Sequence, residues 1–163
     1  MNKLHTKFET GQLIFVRGKS PLSFLIRLFD GEFSHVGIAL SENALLETQY
    51  LKNAQIVKMN YKDYEIVDLK LTDEQKQLLK LKAIDLVGRQ YDYKQFFMEA
   101  LRKIFKFKGK NKWNSPTQDI CSELIVYLLL QINWFGDKGT DCIDCLLDAT
   151  PNQFYKIIKE LAK

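Results

Sequence analysis

Five short, apolar, β-prone runs crowd the first part of the chain, at residues 11–16, 35–40, 44–48, 55–59 and 65–69. Glycine and Ser-Glu-Asn punctuation bounds them. The connections are short for parallel crossovers, so the pattern predicts a small antiparallel sheet of about five strands. A short apolar helix at 22–29 is expected inside the first connection, with Pro21 near its first turn. After Leu71 the period changes from strand to helix. Thr72 with Gln75 is a capping box that opens a helix running to Val87 and stopping at Gly88. Leu78, Leu79, Leu81, Ile84, Leu86 and Val87 are its expected buried face. Further helices are expected at 92–105, 121–130 and 151–161, the last with Thr150 as N-cap. A sheet built early and helices packed on it later make an α+β fold, read as one domain over residues 1–163.

With 163 residues the chain can bury a real core. Its net charge of +4 is modest and spread along lysine-rich helices. No recognition motif accompanies it, so nucleic acid is not an expected partner. The polar N-terminus carries no visible signal peptide, and no apolar run is long enough to span a bilayer. Three cysteines, an odd number, argue against a disulfide framework. The expected location is the cytoplasm. Cys142-Ile143-Asp144-Cys145 is a lone C-x-x-C without a second pair or a nearby histidine, and reads as two ordinary cysteines near a turn. Phe96, Phe97, Leu101, Ile104, Phe105 and Phe107 alternate with lysines and an arginine up to Lys110. The stretch is read as an amphipathic helix with a solvated basic end; peripheral contact with an anionic membrane is the alternative.

Two segments bear chemistry. Cys121-Ser122-Glu123-Leu124 reads as a cysteine opening an apolar helix, where free N–H groups and the dipole favour thiolate. Ser34-His35-Val36-Gly37-Ile38 reads as a histidine opening an apolar strand. Free cysteines are most often small core residues, and strand histidines most often satisfied ones. Docked together, however, the two would form a cysteine–histidine nucleophile pair. Glu47 lies in the hairpin partner of the His35 strand. It either faces solvent or accepts the far N–H of His35, as the acid of a triad does.

Gly11-Gln12-Leu13-Ile14-Phe15, Ser34-His35-Val36-Gly37-Ile38 and Cys121-Ser122-Glu123-Leu124-Ile125 together resemble the NlpC-type papain-like cysteine peptidases. With histidine before cysteine, the order is similar to the circularly permuted branch, the YiiX-like amidases and peptidases related to lecithin:retinol acyltransferase-like enzymes. The resemblance covers residues 11–151. It implies a papain-like fold with Cys121 as nucleophile, His35 as general base and Glu47 as third polar residue. Gly88-Arg89-Gln90-Tyr91 resembles the family's Gly-x-x-Tyr element, which makes Tyr91 a candidate oxyanion donor beside the Cys121 N–H. The implied reaction is cleavage of an amide bond in a peptide or small amide substrate, with no metal or organic cofactor. A lipid acyltransferase or thioesterase, and an inactive binding module, are the alternatives. The sequence does not name the substrate or the oligomeric state.

Overall fold

A computed structural model describes residues 7–49, 53–88, 116–136, 146 and 149–163. Nine elements follow in order: β1 (Gln12–Val16), α1 (Pro21–Asp30), β2 (His35–Ala39), β3 (Ala44–Glu47), β4 (Gln55–Lys58), β5 (Tyr64–Asp68), α2 (Asp73–Leu86), α3 (Pro116–Gln131) and α4 (Pro151–Leu161). The expected helix at 92–105, the basic aromatic stretch, Tyr91 and the Cys142–Cys145 pair lie outside the described residues.

The five strands form one antiparallel sheet in the order β4-β3-β2-β1-β5. The fold is α+β, as the sequence pattern predicts. β1 is paired on both sides and buried on both faces, which explains its unbroken apolar run Leu13-Ile14-Phe15-Val16. Leu13 and Phe15 face the helices with Val36 and Ile38 of β2. Ile14 and Val16 face a smaller cluster with Phe8, Ala39 and Leu45.

That second cluster is roofed by the link between β4 and β5. These strands occupy opposite edges, four inter-strand spacings apart, or about 19 Å. The six Cα steps from Lys58 to Tyr64 reach roughly 22 Å at full extension. The link therefore has little slack and is drawn across one face of the sheet. This lays Met59, Tyr61 and Tyr64 against the cluster.

Capping explains where the helices begin. Thr72 and Thr150 each make the full capping box, with Gln75 and Gln153 respectively, and Ser20 caps α1 ahead of Pro21. α2 corrects the expected face. Leu79, Ala83 and Leu86 are buried, whereas Leu81, Ile84 and Val87 are exposed. Spacing of four and three places the first three on one stripe, and α2 meets α3 along a single side.

α3 lies against β2 and also touches α4. Ser122 Oγ donates to the Ala149 carbonyl at 2.8 Å, fixing α3 to the chain entering α4. Asn152, at the start of α4, accepts from the Phe33 N–H at 2.8 Å and donates to the Phe33 carbonyl at 2.8 Å and to Asp30 at 2.7 Å. The segment leading into His35 is thereby tied to the helical layer.

Candidate active site

His35 opens β2, opposite Val16 of β1. Glu47 closes β3. The register sets Ile38 against Leu46 and Ala39 against Leu45. Continued along the strands, it places Glu47 opposite Gly37 and Gln49 opposite His35, all on one face. Gly37 lies between the acid and the histidine and leaves the space over the strand open. A Cβ there would lie 3.3 Å from the Leu46 carbonyl oxygen and 3.8 Å from Glu47 Oε2. Across it, His35 Nε2 and Glu47 Oε2 stand 2.9 Å apart.

Glu47 is 1% exposed, so its charge needs partners. It has three. Besides His35, Tyr61 Oη donates to Oε2 at 2.7 Å and Gln49 Nε2 donates to Oε1 at 2.5 Å. Gln49 also donates to Tyr61 Oη at 2.9 Å, closing the ring of bonds. Burial alone would raise the Glu47 carboxyl. The hydrogen bond and charge of His35, with Tyr61 and Gln49, outweigh it and hold the group below the usual carboxylate range. Tyr61 moves the other way: burial and then the Glu47 charge push its hydroxyl up, so it stays a donor.

Cys121 is buried, and its sulfur is not in a disulfide. It is hydrogen-bonded to the His35 ring. Nε2 faces Glu47, which leaves Nδ1 for the sulfur. Burial by itself would strip the His35 proton. The hydrogen bonds with Cys121 and Glu47 prevail and push the imidazole up to about 10. The ring retains access to solvent, with 14% of its side chain exposed. A cleft of about 600 Å³ opens onto His35, Cys121, Gln49 and Tyr61, with Arg17 and Ser23 among its other walls. Cys121 belongs to the core on the helix side, whereas Tyr61 packs on the opposite cluster. The cleft thus lies at the end of β2, where the two layers meet.

The three residues singled out in the sequence, Cys121, His35 and Glu47, are brought together. The start of the cysteine helix differs from expectation. α3 begins at Pro116, so Cys121 lies in its second turn. There a backbone N–H points to the carbonyl four residues back, and the dipole's local effect is largely spent. The Cys121 N–H is therefore not a free oxyanion donor. Pro116, the favoured residue at a first helical position, was the available signal. Tyr61 and Gln49 were missed. Gln49 shares the face of Glu47 two residues on, which period two does indicate. Among the described residues, no group of three or more His, Cys, Asp or Glu side chains is placed to hold a metal ion. No described helix is long and apolar enough to cross a membrane.

In comparisons with known proteins, no family model matches the chain and no curated protein is a significant match.

Proposed function

We propose that this chain is a cysteine hydrolase of permuted papain-like type, cleaving an amide bond with Cys121 as nucleophile and His35 as acid and base. One observation carries the reading: Cys121, His35 and Glu47 form a continuous hydrogen-bonded series whose first two members line an open cleft. In the resting site His35 holds its proton between the sulfur and the buried carboxylate. Thiolate attacks the carbonyl carbon. His35 gives its proton to the departing nitrogen as the C–N bond breaks, leaving a thioester on Cys121. Water then attacks the thioester, its proton passes to His35, and the C–S bond breaks to release the acid and restore the ion pair. Glu47 is a positioning residue. It fixes which ring nitrogen faces the sulfur and favours the imidazolium.

Alkylation by iodoacetamide, mapped by mass spectrometry, tests this without a known substrate. Cys121 is expected to react faster at pH 7 than Cys142 or Cys145. His35→Ala is expected to slow Cys121 on the order of tenfold at pH 7 and far less at pH 10, where accessible thiols ionise unaided. Equal rates at all three cysteines, or indifference to His35, would reduce the site to a binding module with no nucleophile.

A further inference from the structure

Three carboxylates converge on the side chain of Arg17, the residue that follows β1. Its Nε donates to Glu32 Oε1 at 2.7 Å, Nη2 to Glu65 Oε2 at 2.9 Å and Nη1 to Asp63 Oδ1 at 3.4 Å. The guanidinium also lies over the Phe33 ring, 4.7 Å from its centroid. Its side chain is 18% exposed and forms part of the cleft wall. The register explains the convergence. Val16 stands opposite His35 on one side and Tyr64 on the other, so the entry to β2, the exit of β1 and the entry to β5 share one end of the sheet. Arg17 bridges them just beyond that end. Glu32 and Phe33 lead into His35, and Asp63 follows Tyr61 by two residues in the link drawn across the sheet. The backbone adds to the clasp: the Arg17 N–H donates to the Asp63 carbonyl at 3.0 Å, and the Ser34 N–H to the Val16 carbonyl at 3.0 Å.

We infer that Arg17 is a positioning residue for the Cys121–His35 pair, holding the segment that leads into His35 and the link that carries Tyr61 in one fixed register. The inference rests on the cysteine chemistry proposed above. Glu47 is bonded to both segments, standing 2.9 Å from His35 Nε2 and accepting from Tyr61 Oη at 2.7 Å. A small shift of either segment lengthens one of these bonds. A guanidinium suits the task, because its planar fork addresses several acids in fixed directions and a point charge does not. Phe33 is gripped from two sides, its ring by Arg17 and its backbone N–H and carbonyl by Asn152. The link is held at its far end by the Met59 N–H on the Asn43 carbonyl at 2.8 Å, and at its near end by Arg17. Without the cation, Glu65 keeps Tyr155 and Lys159. Glu32 and Asp63 are instead left as like charges, which drives the two segments apart.

The test is the titration of His35 in the full chain, followed by NMR of its ring nitrogens, with His35→Ala separating its signals from those of His5. Field and position act with opposite sign. Loss of a nearby cation, by charge alone, favours the imidazolium and raises the titration midpoint. Loss of the hydrogen bonds to Glu47 and Cys121 lowers it. Arg17→Met is expected to lower the midpoint by about one unit, and to slow Cys121 alkylation at pH 7 about fivefold. In the His35→Ala background the same change should alter alkylation by less than about twofold, because its effect passes through His35. Arg17→Lys keeps a cation in place and loses the fork. It should lower the midpoint in the same direction by less, and it serves if thermal unfolding shows that the methionine variant does not fold. An unchanged or raised midpoint in a folded variant overturns the inference. So does equal slowing in the parent and His35→Ala backgrounds, which would mark a loosened fold or a direct field on the thiol. A lowered midpoint in a chain whose Cys121 reacts no faster than Cys142 and Cys145 upholds Arg17 as the residue that holds His35 and overturns the hydrolase reading alone.

Discussion

Replacing Glu47 with glutamine keeps the shape of the buried site and removes its charge. The carboxylate accepts from His35, Tyr61 and Gln49 at 2.9, 2.7 and 2.5 Å and is 1% exposed, so solvent offers no substitute. Loss of one charge-assisted bond costs about 1.5–3 kcal/mol. His35 keeps its Cys121 partner in this variant, so only the Glu47 share of its elevation is lost. Glu47→Gln is therefore expected to destabilise the fold by about 1.5–3 kcal/mol near pH 7. The pH dependence has a definite sign. His35 is raised from 6.5 to about 10 on folding, so its contribution is complete below pH 6.5 and is lost as pH rises through 10. Glu47 is depressed below its ordinary 4.5, so its contribution is present above that value and lost on acidification. The gap between parent and variant should be widest between about pH 5 and 7 and should shrink by pH 10. Urea unfolding at pH 6, 7 and 10 reads it directly. A gap under about 1 kcal/mol at pH 6, or one that persists unchanged at pH 10, would refute a charged His35–Glu47 pair.

Tyr61→Phe removes the hydroxyl bond to Glu47 while leaving His35 and Gln49 in place. It is expected to cost about 1–2 kcal/mol in urea unfolding, and to slow Cys121 alkylation less than His35→Ala does. On α2, Leu79→Ala should cost about 2–5 kcal/mol because Leu79 is fully buried. Leu81→Ala, at 63% exposure, should stay within about 0.5 kcal/mol. Thermal melts of the pair would show the reverse order if the buried stripe of α2 were misplaced.

What the sequence disclosed and what it withheld divide along one physical line. Features settled by neighbours in the chain were legible. The Thr72 and Thr150 caps are set within four residues. The β2–β3 hairpin is set by Leu40 donating its N–H to the Ala44 carbonyl. An acid in the apolar run Leu45-Leu46-Glu47 asks for a partner on the paired strand, and His35 is the group within diagonal reach. Features settled by a distant partner were not legible. Six apolar residues in α2 suit more than one face, and only the line of contact with α3 selects Leu79, Ala83 and Leu86. Tyr61 is the sharper case. Its place above Glu47 depends on β5 pairing with β1 and not with β4, because that choice stretches residues 59–63 across the sheet. Had β5 formed a hairpin with β4, the same five residues would have been a slack turn at the edge, and the Glu47 carboxylate would have lacked the Tyr61 hydroxyl. The strand order thus does two things at once: it closes the sheet's second face and supplies a donor to its buried charge.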